Sequence, residues 1–364
     1  MKIKEITLSN FKNYENLKLR FNQRVNLFYG LNGSGKTNLL DAIHYLSISK
    51  SYFSSSDKLV IRHDQEFFRL HGVFTNNDKA YNISVKKRKD QKKVIEFQGA
   101  KLETASELLG KIPIVLIAPD DIKIVKQASK ERRDLVNRII CQSNPKYLKT
   151  LITYNRILAQ KNALLKSNGA MDFQLIDQYN HTLIQLGSAI CDVRKAMIAL
   201  LRVYVIDIYH EISKGAEQID IIYKSQYDTD DIKRDFDNLL QDEIRFKRIF
   251  IGTHKDDFEF YINGNPLKKI GSQGQIKSFL YALRVGEYKY LKEKLTEKPI
   301  LILDDYFEKL DNQRLSLLCR YLKDDTFDQV FLSDTELERT SALLSTFDIP
   351  FESFEIQNGK MIKL

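Results

Sequence analysis

Two parts of the chain carry residue types whose spacing does phosphate chemistry. Gly30-Leu31-Asn32-Gly33-Ser34-Gly35-Lys36-Thr37 fits the phosphate-loop pattern G-x-x-x-x-G-K-[ST], with Asn38 directly behind it. Glycines let the backbone wrap so that its N–H groups face phosphate oxygens, and a helix starting there adds its positive end. In such a loop Lys36 reaches the β and γ phosphates and Thr37 holds Mg²⁺, so the chain is expected to bind a nucleoside triphosphate. Much later, Ile300-Leu301-Ile302-Leu303 is an apolar run ending in Asp304 and Asp305, the arrangement that holds Mg²⁺ opposite a phosphate loop. In isolation the two carboxylates would read as a strand-ending turn; a phosphate loop in the same chain gives them a task. A third cluster is basic: Lys86, Lys87, Arg88, Lys89, Lys92 and Lys93 surround Asp90. Such a run is usually a solvated face; the alternative is contact with a polyanion. No aromatic platform or base-reading motif accompanies it, so sequence-specific recognition is not expected.

These residues need elements to hold them. Ile3, Ile6 and Leu8, then Leu17, Leu19 and Phe21, alternate as strands do. Val25 to Tyr29 reads as a strand running straight into Gly30, and Asn38 to Leu46 as a helix with Leu39, Leu40, Ile43 and Leu46 on one face. Tyr81, Ile83 and Val85 alternate, as do Ile95 and Phe97, which makes the basic cluster the tip of a β-hairpin. Phe258 to Ile262, ahead of the turn pair Asn263-Gly264, and Val330 to Leu332 read as further strands.

Lys36 and Asp304 stand 268 residues apart, too far for one compact nucleotide-binding domain, so something is inserted between them. No proline occurs between Pro145 and Pro266, and only Gly169, Gly187 and Gly215 lie between Gly110 and Gly252. This is a helical region. Ile176, Leu183, Ile190, Met197 and Tyr204 recur every seventh residue, with Tyr179, Leu186, Val193 and Leu200 three later, until Asp207 breaks the pattern. A helix of about 42 residues would reach roughly 60 Å and pack on Tyr147 to Leu165. The stripe is either a supporting core or an arm that contacts DNA or a partner. The expected organisation is an α/β head with a mixed sheet, formed by residues 1–117 and 247–364, and a mostly helical lobe inserted at 118–246.

The 364 residues carry 57 Lys+Arg against 48 Asp+Glu, a net +9. Residues 1–100 hold 18 Lys+Arg and nine Asp+Glu, so the whole excess lies in the first third. The composition, 43% hydrophobic and 29% charged, excludes a disordered or fibrous chain. The best membrane candidate, Ala196 to Tyr209, is cut by Arg202 and Asp207, well short of the roughly 20 apolar residues a span needs. No apolar run follows the N-terminal lysines, so a secretory signal is not expected. Cys141, Cys191 and Cys319 are far apart, which points to a reducing, cytoplasmic compartment and no structural metal. The scattered histidines form no metal constellation either.

A further motif chooses among nucleotide-binding classes. Gly271-Ser272-Gln273-Gly274-Gln275, leading into a helix at Ile276 to Leu291, resembles the signature motif of ABC-type ATPases, with Glu308-Lys309-Leu310-Asp311 as a D-loop-like turn. Alone, so short a motif is often merely a helix cap. Closer resemblance lies in Asn10-Phe11-Lys12-Asn13-Tyr14, in Ile117-Ala118-Pro119-Asp120-Asp121 with Arg132-Arg133, and in Gly252-Thr253-His254-Lys255-Asp256-Asp257. With the phosphate loop and Leu303 to Asp311, these make nearly the whole chain similar to the RecF family of recombination mediators. That resemblance implies an ABC-type ATPase head with an inserted helical lobe, acting in bacterial DNA repair. Family members bind DNA when ATP-loaded, dimerise around two nucleotides and, with RecR and RecO, help load RecA at gaps. It assigns ATP and Mg²⁺ to Lys36, Thr37 and Asp304, the catalytic-carboxylate position to Asp305, and closure over the partner's ATP to Ser272, Gly274 and Gln275. Beside such a head, phosphate contact becomes the favoured reading of the basic hairpin.

Some positions depart from the ABC pattern. Asp305 stands where a longer Glu is usual, Ser333 and Asp334 lie where a switch histidine is often found, and no Q-loop glutamine is evident. Slow hydrolysis, suited to a timed clamp, is therefore expected. Ile276 occupies a position that is often polar in the family, and no nucleotide or DNA role is assigned to it. Three rivals remain. An ATP-hydrolysing transporter subunit gains nothing from so basic a hairpin. An SMC-like linker would need a longer helical insert, and a small-molecule kinase leaves Ser272 to Gln275 without a purpose.

Overall fold

The computed structural model describes residues 1–76, 79–167, 171–305, 312–324 and 326–362. The D-loop-like turn expected at Glu308 to Asp311 lies outside them. Residues 1–121 with 287–364 form one compact unit and residues 122–286 a second.

Among the described residues the first unit holds two six-stranded sheets. One is antiparallel, in the order β2 (Tyr14–Arg20), β1 (Lys2–Phe11), β4 (Phe67–Asn76), β5 (Lys79–Arg88), β6 (Val94–Phe97) and β7 (Ala100–Lys101). The other is mixed, in the order β8 (Ile114–Ile117), β12 (Ile300–Leu303), β13 (Gln329–Asp334), β3 (Val25–Tyr29), β14 (Phe351–Gln357) and β15 (Lys360–Ile362). In the mixed sheet only β15 runs antiparallel to its neighbour. β8 and β12 are buried along their whole length, as continuous apolar runs in a parallel sheet must be. α1 (Lys36–Ile48) follows β3 and packs Leu39, Leu40, Ile43 and Leu46 into the same core as Ile6, Leu8, Phe68 and Leu70 of the antiparallel sheet. Phe21, Phe28, Phe331 and Phe354 form an aromatic knot beside them, with Phe21 edge-on to Phe331 at 4.9 Å. Gln329 sutures the two sheets: its Oε1 accepts from Ile3 N–H at 2.7 Å and its Nε2 donates to Ile3 O at 2.9 Å. α9 (Asn312–Lys323) and α10 (Leu337–Thr346) complete this unit.

The second unit is mostly helical: α2 (Ile122–Lys126), α3 (Ser129–Ser143), α4 (Pro145–Lys166), α5 (Phe173–Ser213), α6 (Ile232–Phe246), α7 (Leu267–Ile270) and most of α8 (Gln273–Lys294). It also contains a three-stranded sheet, β9 (Ile219–Lys224) pairing β10 (Asp257–Ile262), which pairs β11 (Asn265–Pro266). Because β9 and β10 pair along six residues, residues 247–286 cluster with the helices, whereas the sequence reading places them with the head.

α5 spans 41 residues and packs on α4, and its seam differs from the expected heptad. Ile176, Leu183, Ile190 and Met197 are buried, but the second row is Asn180, Gly187, Arg194 and Leu201, while Tyr179, Leu186, Val193 and Leu200 are only half-buried. The pairing is i, i+4, which a straight helix of 3.6 residues per turn favours. Gly187 is there because Tyr227 crosses it: a Cβ would stand 1.9 Å from the tyrosine oxygen. Arg194, 2% exposed, is accommodated by a hydrogen-bond set. It donates to Asp256 Oδ2 at 2.6 Å, Thr253 O at 2.9 Å, Asn137 Oδ1 at 3.0 Å and Tyr147 Oη at 3.1 Å. Arg132 grips Asp257 through two bonds of 2.7 and 3.0 Å, and Arg133 donates to Asp256 O at 2.8 Å. The Gly252–Asp257 motif is thus the knot tying α3, α4 and α5 to β10, where buried charges must be paired.

Candidate functional site

The phosphate loop leaves β3 through Gly30 (φ 145°), Gly33 (φ 80°) and Gly35 (φ 122°). Two of these glycines are also sterically required: a Cβ would meet Ile356 O at 2.3 Å on Gly30 and the Asn13 amide at 2.5 Å on Gly35. Leu31, Asn32 and Gly33 form an exposed crest over a buried base of Ser34, Gly35 and Lys36. Gly35 caps α1 without a side chain, which leaves the N–H groups of its first turn for an anion. Lys36 Nζ donates to Gly30 O at 2.7 Å and Leu31 O at 3.1 Å, which fixes the ammonium within the loop.

Residues outside the motif brace it. Asn13 Nδ2 and Gly359 N–H both donate to Ser34 O, at 3.0 and 2.8 Å. Tyr14 Oη donates to Gly35 O at 3.0 Å, and Asn38 Nδ2 donates to Asn13 Oδ1 at 2.8 Å. Asn38 therefore supports the loop through Asn13. Nothing in the spacing of Asn13 and Tyr14 points to the loop; their place in the opening motif is the one signal for it.

The fold brings the distant carboxylates to this loop. Asp304 leaves the end of β12 at the level of Ser333 on β13, the strand that separates β12 from β3. Thr37 Oγ1 donates to Asp304 Oδ1 and Oδ2 at 2.9 and 3.1 Å. Ser333 Oγ donates to Asp304 Oδ1 at 2.8 Å, accepts from Asp305 N–H at 2.7 Å and lies 3.3 Å from Asp305 Oδ1. That bond holds Asp305 in a left-handed conformation, φ 44°, which L side chains adopt at a cost. Burial, with the nearby Asp305 charge, pushes Asp304 up to about 6. A hard divalent cation fits this donor set, since a hydroxyl and a desolvated carboxylate already converge and the carboxylate gains by neutralisation. Asp334, by contrast, is internal: its carboxylate accepts from Thr335 N–H at 2.7 Å and from Thr340 Oγ1.

Ser272, Gly274 and Gln275 lie in the second unit, at the start of α8. Ser272 Oγ accepts from Gln275 N–H at 3.1 Å, and Gln275 Oε1 accepts from Ser272 N–H at 2.8 Å. This reciprocal capping box satisfies two orphan donors of the helix. Gln275 Nε2 is spent on Glu217 at 2.7 Å. Ile276 is buried, in keeping with a packing role.

The basic cluster does sit on the β5–β6 hairpin, but its cations are not equivalent. Lys86 pairs with Glu96 at 3.3 Å and Lys89 with Glu66 at 2.9 Å, while Lys87 donates to Gln91 O. Lys93 turns inward, 15% exposed, to Asp57 at 2.9 Å, Tyr45 Oη at 3.1 Å and the carbonyl of Ser49. Ser49 is the C-cap of α1, so Lys93 places a cation at the negative end of the phosphate-loop helix. Only Arg88 and Lys92 are exposed with no ion pair among the described residues.

No helix among the described residues is long and apolar enough to cross a membrane, and they contain no group of three His, Cys, Asp or Glu able to hold a metal.

A family model described as the RecF/RecN/SMC N-terminal domain matches residues 2–347. The DNA replication and repair protein RecF of Flavobacterium johnsoniae is 35% identical over 98% of this chain and 100% of its own length. That of Cytophaga hutchinsonii is 36% identical over 99% of this chain and 96% of its own. Among solved structures, the recombination mediator RecF with ATP, described in the RecFOR pathway, superposes with TM-score 0.90 at 30% identity, covering 100% of this chain and 97% of that one. An Smc head domain from Pyrococcus furiosus superposes with TM-score 0.58 at 17% identity, a likeness of fold alone, over 100% of this chain and 96% of that one.

Proposed function

Because this chain belongs to the RecF family of DNA replication and repair ATPases, we propose that it is an ATP-driven homodimeric clamp on DNA. With RecR and RecO it promotes RecA loading at gaps, and slow ATP hydrolysis resets it. The observation that carries this reading is the junction of Thr37 with Asp304 and of Ser333 with both Asp304 and Asp305. Residues from distant parts of the chain converge there, at the start of the helix that follows the phosphate loop.

The loop N–H groups and Lys36 bind the triphosphate. Thr37 and Asp304 would hold Mg²⁺, which would supply charge neutralisation to the phosphates. Asp305 positions the attacking water, and its short arm makes turnover slow, at or below about 1 per second. Ser272, Gly274 and Gln275 close over the nucleotide of a second copy, their capping box presenting the N-terminus of α8 to the γ-phosphate. Arg88 and Lys92 lead the phosphate contacts to DNA, helped by Lys86, Lys87 and Lys89.

Mass measurement with and without ATP tests this directly. Wild type is expected to shift from monomer to dimer with ATP, whereas Lys36→Ala and Ser272→Arg remain monomers. A monomer in every condition would sink the clamp.

A further inference from the structure

No aromatic residue lies within the basic run Lys86 to Lys93 itself, yet the sheet supplies one from the neighbouring strand. β4 and β5 pair antiparallel with Phe67 opposite Arg88 and Arg69 opposite Lys86. Alternation then separates the faces: Phe68 and Leu70 are fully buried, while Phe67 is 40% exposed. Phe67, Arg69, Lys86, Arg88, Gln91 and Lys92 line one open groove of about 310 Å³. Arg69, Arg88 and Lys92 have no ion pair among the described residues, and Glu66, the acid beside Phe67, is taken by Lys89. The groove therefore combines an exposed aromatic ring with three cations that have no ion pair among the described residues.

Intact duplex can use the cations but not the ring, because its bases stack on one another. An unpaired nucleotide uses both, with its base on the ring and the flanking phosphates on the cations. We propose that this groove binds an unpaired nucleotide of DNA, Phe67 stacking on the base and Arg69, Arg88 and Lys92 holding the adjoining phosphates. The inference rests on the reading of the hairpin as a DNA contact and adds to it the side chains that meet an unpaired base and its phosphates.

Fluorescence anisotropy of the full chain with ATP, on single-stranded, gapped and intact duplex DNA, separates the two layers. Phe67→Ala should weaken single-stranded and gapped DNA roughly five- to a hundredfold, leaving duplex within about twofold, and Phe67→Tyr should restore binding. Arg88→Ala with Lys92→Ala should weaken all three. A Phe67→Ala loss equal on all three DNAs, or no loss at all, overturns the groove while leaving the hairpin reading intact. No change on any DNA in the double variant overturns the hairpin reading itself. Photocrosslinking of 5-bromouracil DNA to wild type gives a check free of any folding defect: the adduct is expected on the peptide containing Phe67, and adducts confined to other peptides count against the groove.

Discussion

The phosphate-loop end of the mixed sheet and the basic hairpin of the antiparallel sheet are equally conspicuous in sequence, and they are built on opposite terms. At the phosphate loop four side chains are braced: Lys36 by two carbonyls, Thr37 by Asp304, and Asp304 and Asp305 by Ser333. In the hairpin the cations divide. Lys93 is an inward structural post, Lys86 and Lys89 are half-committed to carboxylates, and Arg88 and Lys92 are exposed with no ion pair among the described residues. Chemistry at a phosphate needs donors fixed before the ligand arrives. Adhesion to a polyanion needs only charge within reach. A run of like residues is therefore a poor guide to like roles.

Substitutions can break that contrast, starting with the largest effect. Lys36→Ala removes the cation proposed to meet the triphosphate, and a charged hydrogen bond is worth about 1.5–3 kcal/mol. ATP affinity should fall at least about tenfold by calorimetric titration, with the melting temperature little changed. Ser333→Ala strands the Asp305 N–H and leaves two carboxylates facing each other. Denaturant unfolding should show a loss of about 1–3 kcal/mol, and ATP turnover should drop with it. Lys93→Met takes the cation from the end of α1 and breaks the ion pair to Asp57, which keeps the Tyr45 hydroxyl at 2.6 Å. A stability loss of about 1–2 kcal/mol is expected, with DNA affinity nearly intact. Arg88→Ala and Lys92→Ala should do the reverse, with stability within about 0.5 kcal/mol and the salt slope of DNA binding lowered by about 0.9 for each. If Lys93→Met weakens DNA binding more than they do, the division of the hairpin is wrong. Smallest of all, Glu96→Gln should cost under about 1 kcal/mol and slightly tighten DNA binding by releasing Lys86.

What could be read from the chain was local or periodic. The phosphate loop needs only eight adjacent residues, and the strands around it announce themselves by alternation or by apolar runs such as Ile300 to Leu303. What escaped depends on register between strands. Ser333 meets Asp304 because β13 pairs β12 at that level, and Phe67 meets Arg88 because β4 pairs β5. Neither pairing has a spacing in the sequence. The heptad on α5 misplaced its second row because Leu186 and Val193 look more like core than Gly187 and Arg194 do. Tyr227 and Asp256, which explain the latter two, are remote in the chain. Ser272 shows the converse: a motif with a proposed role toward nucleotide also serves as an ordinary helix cap.

Titration of gapped DNA at fixed salt, with and without ATP, for wild type and Lys36→Ala, tests the central claim most directly. Wild type should bind tightly only with ATP, and Lys36→Ala weakly in both conditions. Equal affinity in all four measurements would contradict a clamp whose grip on DNA depends on the phosphate loop.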